Sequence, residues 1–262
     1  MEKLYIIKIG GNVIDDPKLL NQFLEDFSAL NGCKILVHGG GKLATNLASS
    51  LGIKQIMIDG KRVTDAETLD IVIMVYAGLI NKKITANLQR LQCNAMGFCG
   101  ADGNLIRSAK REQSQIDFGF VGDILSDGVD TKQFESLLHK GIVPVICPIT
   151  HDGMGNLLNT NADSLATAVA LAMKPFFNVS LAYCFEKKGV LRDTNDDDSF
   201  IPVLSKQTYL KLKDAGAISK GMIPKLDNAF KAMEGGIKEL TICHAANIIG
   251  LKTQITGTQL SK

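Results

Sequence analysis

Two short apolar runs near the start of the chain each end in glycines: "IIKIGGN", with Gly10 and Gly11, and "LVHGGGK", with Gly39, Gly40 and Gly41. Between them, residues 16–30 carry helical spacing, and a second helix is predicted from Lys42 to Leu51. This β-α-β-α opening restricts the chain to α/β folds, in which sequential strands lie parallel and helices cover both faces. If the two strands are neighbours, both glycine turns sit at one C-terminal sheet edge, where ligands of open α/β sheets bind. A glycine turn feeding a helix leaves backbone N–H groups free, and with the helix dipole these favour an anion. Such pairs also occur as plain tight turns, so a turn alone says little about function.

The rest of the chain keeps the same alternation. "IKQIMIDGKRVTD" carries Asp59-Gly60 between apolar-flanked arms, a hairpin signal. A long helix is expected over Glu67 to Leu91, with Asp65 or Thr64 as N-cap and more apolar residues than one buried stripe requires, which suits the core or a subunit contact. Short strands and turns lead to a buried strand in "GIVPVICPIT", a further hairpin in "HDGMGNLLN", and a helix in "NTNADSLATAVALAMK" that Pro175 ends. A boundary near Lys174 divides the expected organisation into lobes at 1–174 and 175–262. "NDDDSF", residues 195–200, reads as a solvated loop, with an acidic metal site as the weaker alternative.

At 262 residues, 45% hydrophobic and 21% charged, the chain has ample material for a core and is unlike a disordered one. A net charge of +2 argues against a general nucleic-acid or membrane surface, so anion binding must come from a few placed groups. Cys33, Cys93, Cys99, Cys147, Cys184 and Cys243 form no C-x-x-C pair and read as reduced, mostly buried thiols. The opening run is broken by Lys8, too early for a secretory signal, and no run reaches membrane-span length. The expectation is a cytoplasmic protein.

Three phosphate-binding schemes compete for the glycines. Gly39, Gly41 and Ala44 satisfy the dinucleotide pattern G-x-G-x-x-A, and Asp59 falls near the spacing of a ribose-binding acid. That pattern, however, belongs on the first strand, which here has its own glycine turn preceded by Lys8. A P-loop requires Gly at 36 and a hydroxyl at 43, where this chain has Leu36 and Leu43. The third scheme pairs the two turns around one phosphoryl group, with Lys8 supplying charge; the competing structural reading is a lysine that snorkels out of its strand.

Taken together, "IIKIGGN", "LVHGGGK", "DGKRVTD", "NLLNTNADSLATAVA" and "KGMIPKL" resemble the amino acid kinase family, in order and over nearly the whole chain. The resemblance implies a three-layer αβα sandwich around an open, mainly parallel eight-stranded sheet. It places the acyl amino acid in the N-terminal lobe and ATP, as the magnesium complex, in the C-terminal lobe. The implied reaction is phosphorylation of the γ-carboxylate of an N-acyl-L-glutamate, N-acetyl or N-succinyl, in arginine or ornithine synthesis. Lys8 and Lys225 would clamp the phosphoryl groups, Asp163 would hold both lysines, and Gly10, Gly11, Gly40 and Gly41 would donate amides. Arg62 and Asn159 would grip the substrate's α-carboxylate. Structural readings stand beside these: Asp163 as a helix cap, Arg62 as a solvated hairpin residue, Lys225 as a surface lysine.

Two departures from the family pattern bear on specificity. "CFEKKGV" places Glu186 and Lys187 where many relatives have an aspartate, so Glu186 is a nucleotide-side candidate with altered reach. Lys61, beside Arg62, stands where relatives often carry an apolar residue and could meet an additional carboxylate. Without an extension before the first strand, the resemblance implies a homodimer insensitive to arginine. Competing readings are an acylaminoadipate kinase, carbamate kinase or aspartokinase, a catalytically silent sensor of the same fold, and a dinucleotide oxidoreductase.

Overall fold

The computed structural model describes residues 1–58, 61–112, 116–193, 196, 198–219, 221–253 and 256–261. Among these residues an eight-stranded sheet runs in the spatial order Val203–Ser205, Thr258–Ser261, Glu239–His244, Asn178–Phe185, Lys3–Ile9, Cys33–His38, Val143–Ile146, Ala95–Phe98. All neighbours are parallel except Glu239–His244 with Thr258–Ser261. The central strand Lys3–Ile9 is apolar at nearly every position because helices cover both its faces.

Side chains alternate between faces along a strand, and this alternation builds the three layers. Leu4 and Ile6, with Ile35 and Val37, join a core that includes Leu165, Val169 and Phe230 from the helices Ala162–Met173 and Ile223–Glu234. Tyr5, Ile7 and Ile9, with Leu36, join a second core that includes Phe23 and Phe27 of Pro17–Ala29 and Val72 and Tyr76 of the long helical segment. Lys8 shares the parity of Leu4 and Ile6, which turns it toward Ala162–Met173. His38 shares the parity of Leu36, which turns it toward the opposite layer.

The predicted elements are present, with refinements. The first glycine turn starts a short helix of its own, Gly11–Asp15, before Asp16 caps Pro17–Ala29 through the amides of Lys18 and Leu19. The long helix is capped by Asp65, runs as Ala66–Ile73, passes through a π-helical stretch Met74–Ile80 and continues as Asn81–Arg90. Its apolar surplus is only partly buried: Met74 and Leu79 are exposed. The hairpin arms Met57–Ile58 and Lys61–Arg62 pair antiparallel, while the Asp59-Gly60 turn lies outside the described residues. The short strands of the middle region form a four-stranded sheet, Leu157–Asn159, Ile149–His151, Ile106–Lys110 and Gly122–Val129, which spacing alone did not reveal. Of the acidic loop, Asn195 and Asp197 lie outside the described residues; Asp196 is exposed and Asp198 pairs with Lys188. No group of three or more metal-ligating side chains occurs among the described residues, and none of their helices is long and apolar enough to cross a membrane.

One buried charge anchors a helix to the sheet. Lys34, on the second strand, donates to the carbonyls of Phe27, Ser28 and Leu30 at 2.8, 2.8 and 2.7 Å. Burial lowers its pKa, but the carbonyl end of Pro17–Ala29 offers three acceptors and the negative pole of the helix, offsetting the lost hydration. Lys34→Met keeps the aliphatic bulk and strands those carbonyls. The expected loss is about 2–3 kcal/mol, read by urea titration; an unchanged midpoint would show the carbonyls satisfied by water.

Candidate active site

The register of the first two strands sets the site. Ile9 lies opposite His38, so the chain leaves both strands at the same sheet edge. The Gly39 amide donates to the Ile9 carbonyl at 3.1 Å, tying one turn to the other. A Cβ built on Gly11 would lie 3.7 Å from the Gly41 nitrogen, and one on Gly39 3.7 Å from the Gly11 nitrogen. Both are ordinary contact distances, so the two turns lie side by side. Gly40 is restricted twice over: its φ is +148°, and a Cβ there would approach Ile80 Cδ1 to 2.2 Å. Gly10 and Gly40 are the N-cap residues of Gly11–Asp15 and Gly41–Ser50, and neither helix has a side-chain cap. Two sets of helix-start amides therefore face one region without an acceptor of their own.

The second turn is held from behind. Asn81 Nδ2 donates to the Val145 carbonyl at 2.9 Å and lies 3.2 Å from His38 Nε2, which must accept. The proton then sits on His38 Nδ1, which donates to the Gly39 carbonyl at 2.8 Å. Burial in the apolar layer pushes the His38 pKa down to about 4, against the raising effect of the Gly39 bond, so the ring is neutral near pH 7.

Three charged groups meet beside the first turn. Lys8 Nζ lies 2.7 Å from Asp163 Oδ1, and Lys225 Nζ lies 3.4 Å from Asp163 Oδ2. Asp163 is in the first turn of Ala162–Met173, but Asn161 is the cap, accepting from the Ser164 amide. The carboxylate is thus free to bridge the lysines, and its helix-cap reading does not hold. Lys225, in the first turn of Ile223–Glu234, is only partly exposed and its ammonium group reaches this pair. Phe185 presents its ring to both cations, 5.2 Å from Lys8 Nζ and 4.5 Å from Lys225 Nζ. Burial alone would raise the Asp163 pKa, but the two ammonium groups outweigh it and hold the carboxyl below its usual range. Burial lowers the Lys8 pKa, with Asp163 opposing and Lys225 adding to the fall. The triad carries one net positive charge beside uncommitted amides.

Two cavities meet at Gly41. One, of about 540 Å³, is lined by Gly10, Gly11, Phe185, Glu186 and Lys225 among others. Glu186 accepts from Asn12 Nδ2 at 2.7 Å, so it braces the wall of this cavity. The other, of about 460 Å³, includes Gly40, Lys61, Arg62 and Asn159 in its lining. Arg62 is buried, not a solvated hairpin residue: its Nη2 donates to the Gly41 carbonyl at 2.9 Å and to Thr45 at 3.0 Å, and its Nη1 to Gln55. Asn159 is joined to it through Thr64, donating to the hydroxyl that in turn donates to the Arg62 carbonyl. Sequence reasoning missed Phe185, Arg111 and Lys231 in these walls. Pro224, Asp227, Asn228 and Lys231 follow the i, i+3, i+4, i+7 spacing, so a polar stripe on this helix was the available signal.

Paired glycine turns at a parallel-sheet edge, a lysine–aspartate–lysine triad and two cavities that share Gly41 define the candidate site of an α/β protein. The sequence pattern of the amino acid kinase family matches residues 3–244. The chain is 53% identical over 263 residues to a protein named acetylglutamate kinase from Cytophaga hutchinsonii, covering 99% of each. It is 52% identical to one of that name from Phocaeicola vulgatus, covering 100% of this chain and 99% of the relative. The fold is shared with an N-acetylglutamate synthase from Neisseria gonorrhoeae, with a TM-score of 0.83 at 22% identity over 99% of this chain and 59% of that one. It is also shared with a carbamate kinase from Giardia, with a TM-score of 0.70 at 12% identity over 98% of each. The chain belongs to the amino acid kinase family. The dinucleotide reading thereby loses its support, and its ribose acid, Asp59, lies outside the described residues.

The buried His38 predicts an acid weakness. Its folded pKa, about 4, lies below the ordinary 6.5, so the unfolded chain binds more protons between those values. Stability from this residue is therefore complete above about pH 6.5 and falls as the pH drops toward 4, by up to roughly 3 kcal/mol. His38→Asn is expected to flatten the stability profile between pH 6.5 and 4.5, measured by urea unfolding; a profile as steep as the parent's would contradict a buried neutral ring.

Proposed function

We propose that the protein transfers the γ-phosphoryl group of ATP to the side-chain carboxylate of an N-acyl-L-glutamate, yielding an acyl phosphate and ADP. The observation that carries this is the Lys8–Asp163–Lys225 triad, with Lys8 and Asp163 buried beside the first of two uncapped glycine turns and Lys225 lining one of the two cavities that share Gly41. The end-to-end match to proteins named acetylglutamate kinase supports N-acetyl-L-glutamate as the reference substrate.

The chemistry asks little beyond charge and position. A glutamate side-chain carboxylate, with a pKa near ~4.3, is already ionised at neutral pH and needs no general base. One carboxylate oxygen supplies the electron pair of the new O–P bond, and the bond from phosphorus to the β–γ bridging oxygen breaks, its pair leaving on ADP. The obstacle is the approach of two anions. Lys8 and the amides of Gly11, Gly40 and Gly41 would face the transferring group, while Lys225 would face the ATP phosphates; the Gly10 amide is not available for this, since it donates to the Cys184 carbonyl at 3.3 Å. Asp163 is a positioning residue: it holds both ammonium groups in place without touching substrate. Arg62 keeps unused N–H donors beside the second cavity, where with Asn159 it would take the α-carboxylate.

ATP would enter as its magnesium complex, the ion carried on the substrate phosphates. Residues 1–174 would then supply most of the acyl amino acid side and 175–262 most of the nucleotide side, in keeping with Phe185, Glu186 and Lys225 in the first cavity, while Lys231 of the second part reaches the second cavity. A homodimer through the long helical segment would cover Met74 and Leu79, and the reaction belongs to cytoplasmic arginine or ornithine synthesis. Nothing in the triad favours a silent sensor: Glu186 is tied to Asn12 and leaves both lysines in place.

ATP-dependent trapping of the product with hydroxylamine is the test. N-acetyl-L-glutamate is expected to give a hydroxamate, and Lys8→Met to lower kcat by roughly 10²- to 10³-fold with a smaller change in KM. Failure of every N-acylglutamate, with ATP still bound, would sink the proposal.

A further inference from the structure

The second cavity holds more positive charge than an N-acetylated glutamate can use. Lys61, Arg62, Arg111 and Lys231 line it, against one lining carboxylate, Asp227. That carboxylate is engaged elsewhere, accepting from the Tyr209 hydroxyl at 2.7 Å and from Lys213 at 3.0 and 3.1 Å. N-Acetyl-L-glutamate brings two carboxylates. One goes to the reacting position beside Lys8 and the other to Arg62, which leaves Lys61, Arg111 and Lys231 without a substrate charge.

These three cations come from separate elements. Lys61 is on the hairpin, Arg111 follows the strand Ile106–Lys110, and Lys231 is in the helix Ile223–Glu234. Asp123, on the strand Gly122–Val129, joins them: its two carboxylate oxygens accept from Arg111 Nε and Nη2. Those bonds, and then the charges of Arg111, Lys61 and Lys231, hold the Asp123 carboxyl below its usual range. Both lysines are exposed on the cavity wall, and neither makes a hydrogen bond or ion pair among the described residues. One carboxylate thus sits among three cations, leaving a net charge of two on this wall. Three cations around a single carboxylate leave positive charge uncompensated on this wall, and an anion bound beside Lys61 and Lys231 relieves that cost.

We propose that the acyl group of the substrate carries a carboxylate of its own, so that the protein acts on an N-(ω-carboxyacyl)-L-glutamate, with Lys61 and Lys231 holding the added charge. The inference rests on the kinase reading above for the placement of the reacting carboxylate. The Arg111–Asp123 pair supports the lysines and keeps the empty wall from carrying the full repulsion. A four-carbon dicarboxylic acyl group, N-succinyl, is a common probe that extends beyond acetyl and ends in a charge. The donor of that acyl group would be an activated dicarboxylic acid, acting in a preceding acyl transfer to glutamate.

The test compares N-acetyl-, N-succinyl- and N-succinamoyl-L-glutamate on the full chain, the last matching the succinyl length without its charge. Turnover is read with hydroxylamine trapping, and binding separately by calorimetry without nucleotide. The succinyl compound is expected to exceed both others at least tenfold in kcat/KM and in affinity, with the advantage shrinking as salt is raised. Lys61→Met and Lys231→Met are each expected to lower the succinyl-to-acetyl ratio fivefold or more. Equal handling of the succinyl and succinamoyl compounds, or a ratio that neither substitution moves, overturns the inference while leaving the kinase reading intact. Turnover of none of the three overturns the kinase reading; the calorimetric ranking then still decides whether the wall prefers the added charge.

Discussion

Burying Lys8 is the constraint on which the rest depends. An ammonium group on a central strand of a parallel sheet is held in the core of the molecule, where its charge is costly to desolvate. Two arrangements answer that cost: the Asp163 carboxylate at 2.7 Å and the Phe185 ring. Asp163 in turn can be buried only because Lys225 occupies its other oxygen. Apolar residues of similar bulk would often serve stability as well as such a cluster does. Its retention in the core is intelligible if the positive charge is needed beside the glycine turns, as phosphoryl transfer between two anions requires.

The glycine turns follow the same logic from the backbone side. Parallel pairing places Ile9 opposite His38, and the next residues of both strands must turn into helices in almost the same place. At Gly40 the left-handed backbone and the 2.2 Å approach of a built Cβ to Ile80 Cδ1 exclude a side chain, so glycine there is a steric condition of the fold as well as a source of a free amide. The second turn is reinforced by the His38–Asn81 chain, which ends on the Val145 carbonyl of a neighbouring strand. Rigid turns suit electrostatic stabilisation, since donors already in place need no reorganisation when charge shifts.

Much of this was legible in the sequence because the signals were local. The opening strands, the Asp16- and Asp65-capped helices, and the hairpin arms around Lys61 and Arg62 rest on periodicity and capping chemistry confined to a few residues. Lys8, Asp163, Lys225 and Arg62 were nameable because each lies in a motif. The four-stranded side sheet was not, since its strands are short and pair across long separations. Phe185, Arg111 and Lys231 were overlooked for a related reason: nothing next to them in the chain marks a phenylalanine as a wall for two cations, or a helix-surface lysine as part of a cavity.

By itself the sequence determined the alternating α/β pattern, the two glycine turns and the small set of charged residues available for chemistry, because backbone conformation and amphipathic spacing are written in neighbouring residues. The tertiary structure alone decided that Asp163 bridges Lys8 and Lys225, that Asn161 caps the helix in its place, and that two cavities share Gly41. Those facts depend on which strand lies beside which and on the face each side chain meets. Charges 62 and 155 positions from Asp163 in the chain become partners only when the sheet brings their strands and helices to one edge.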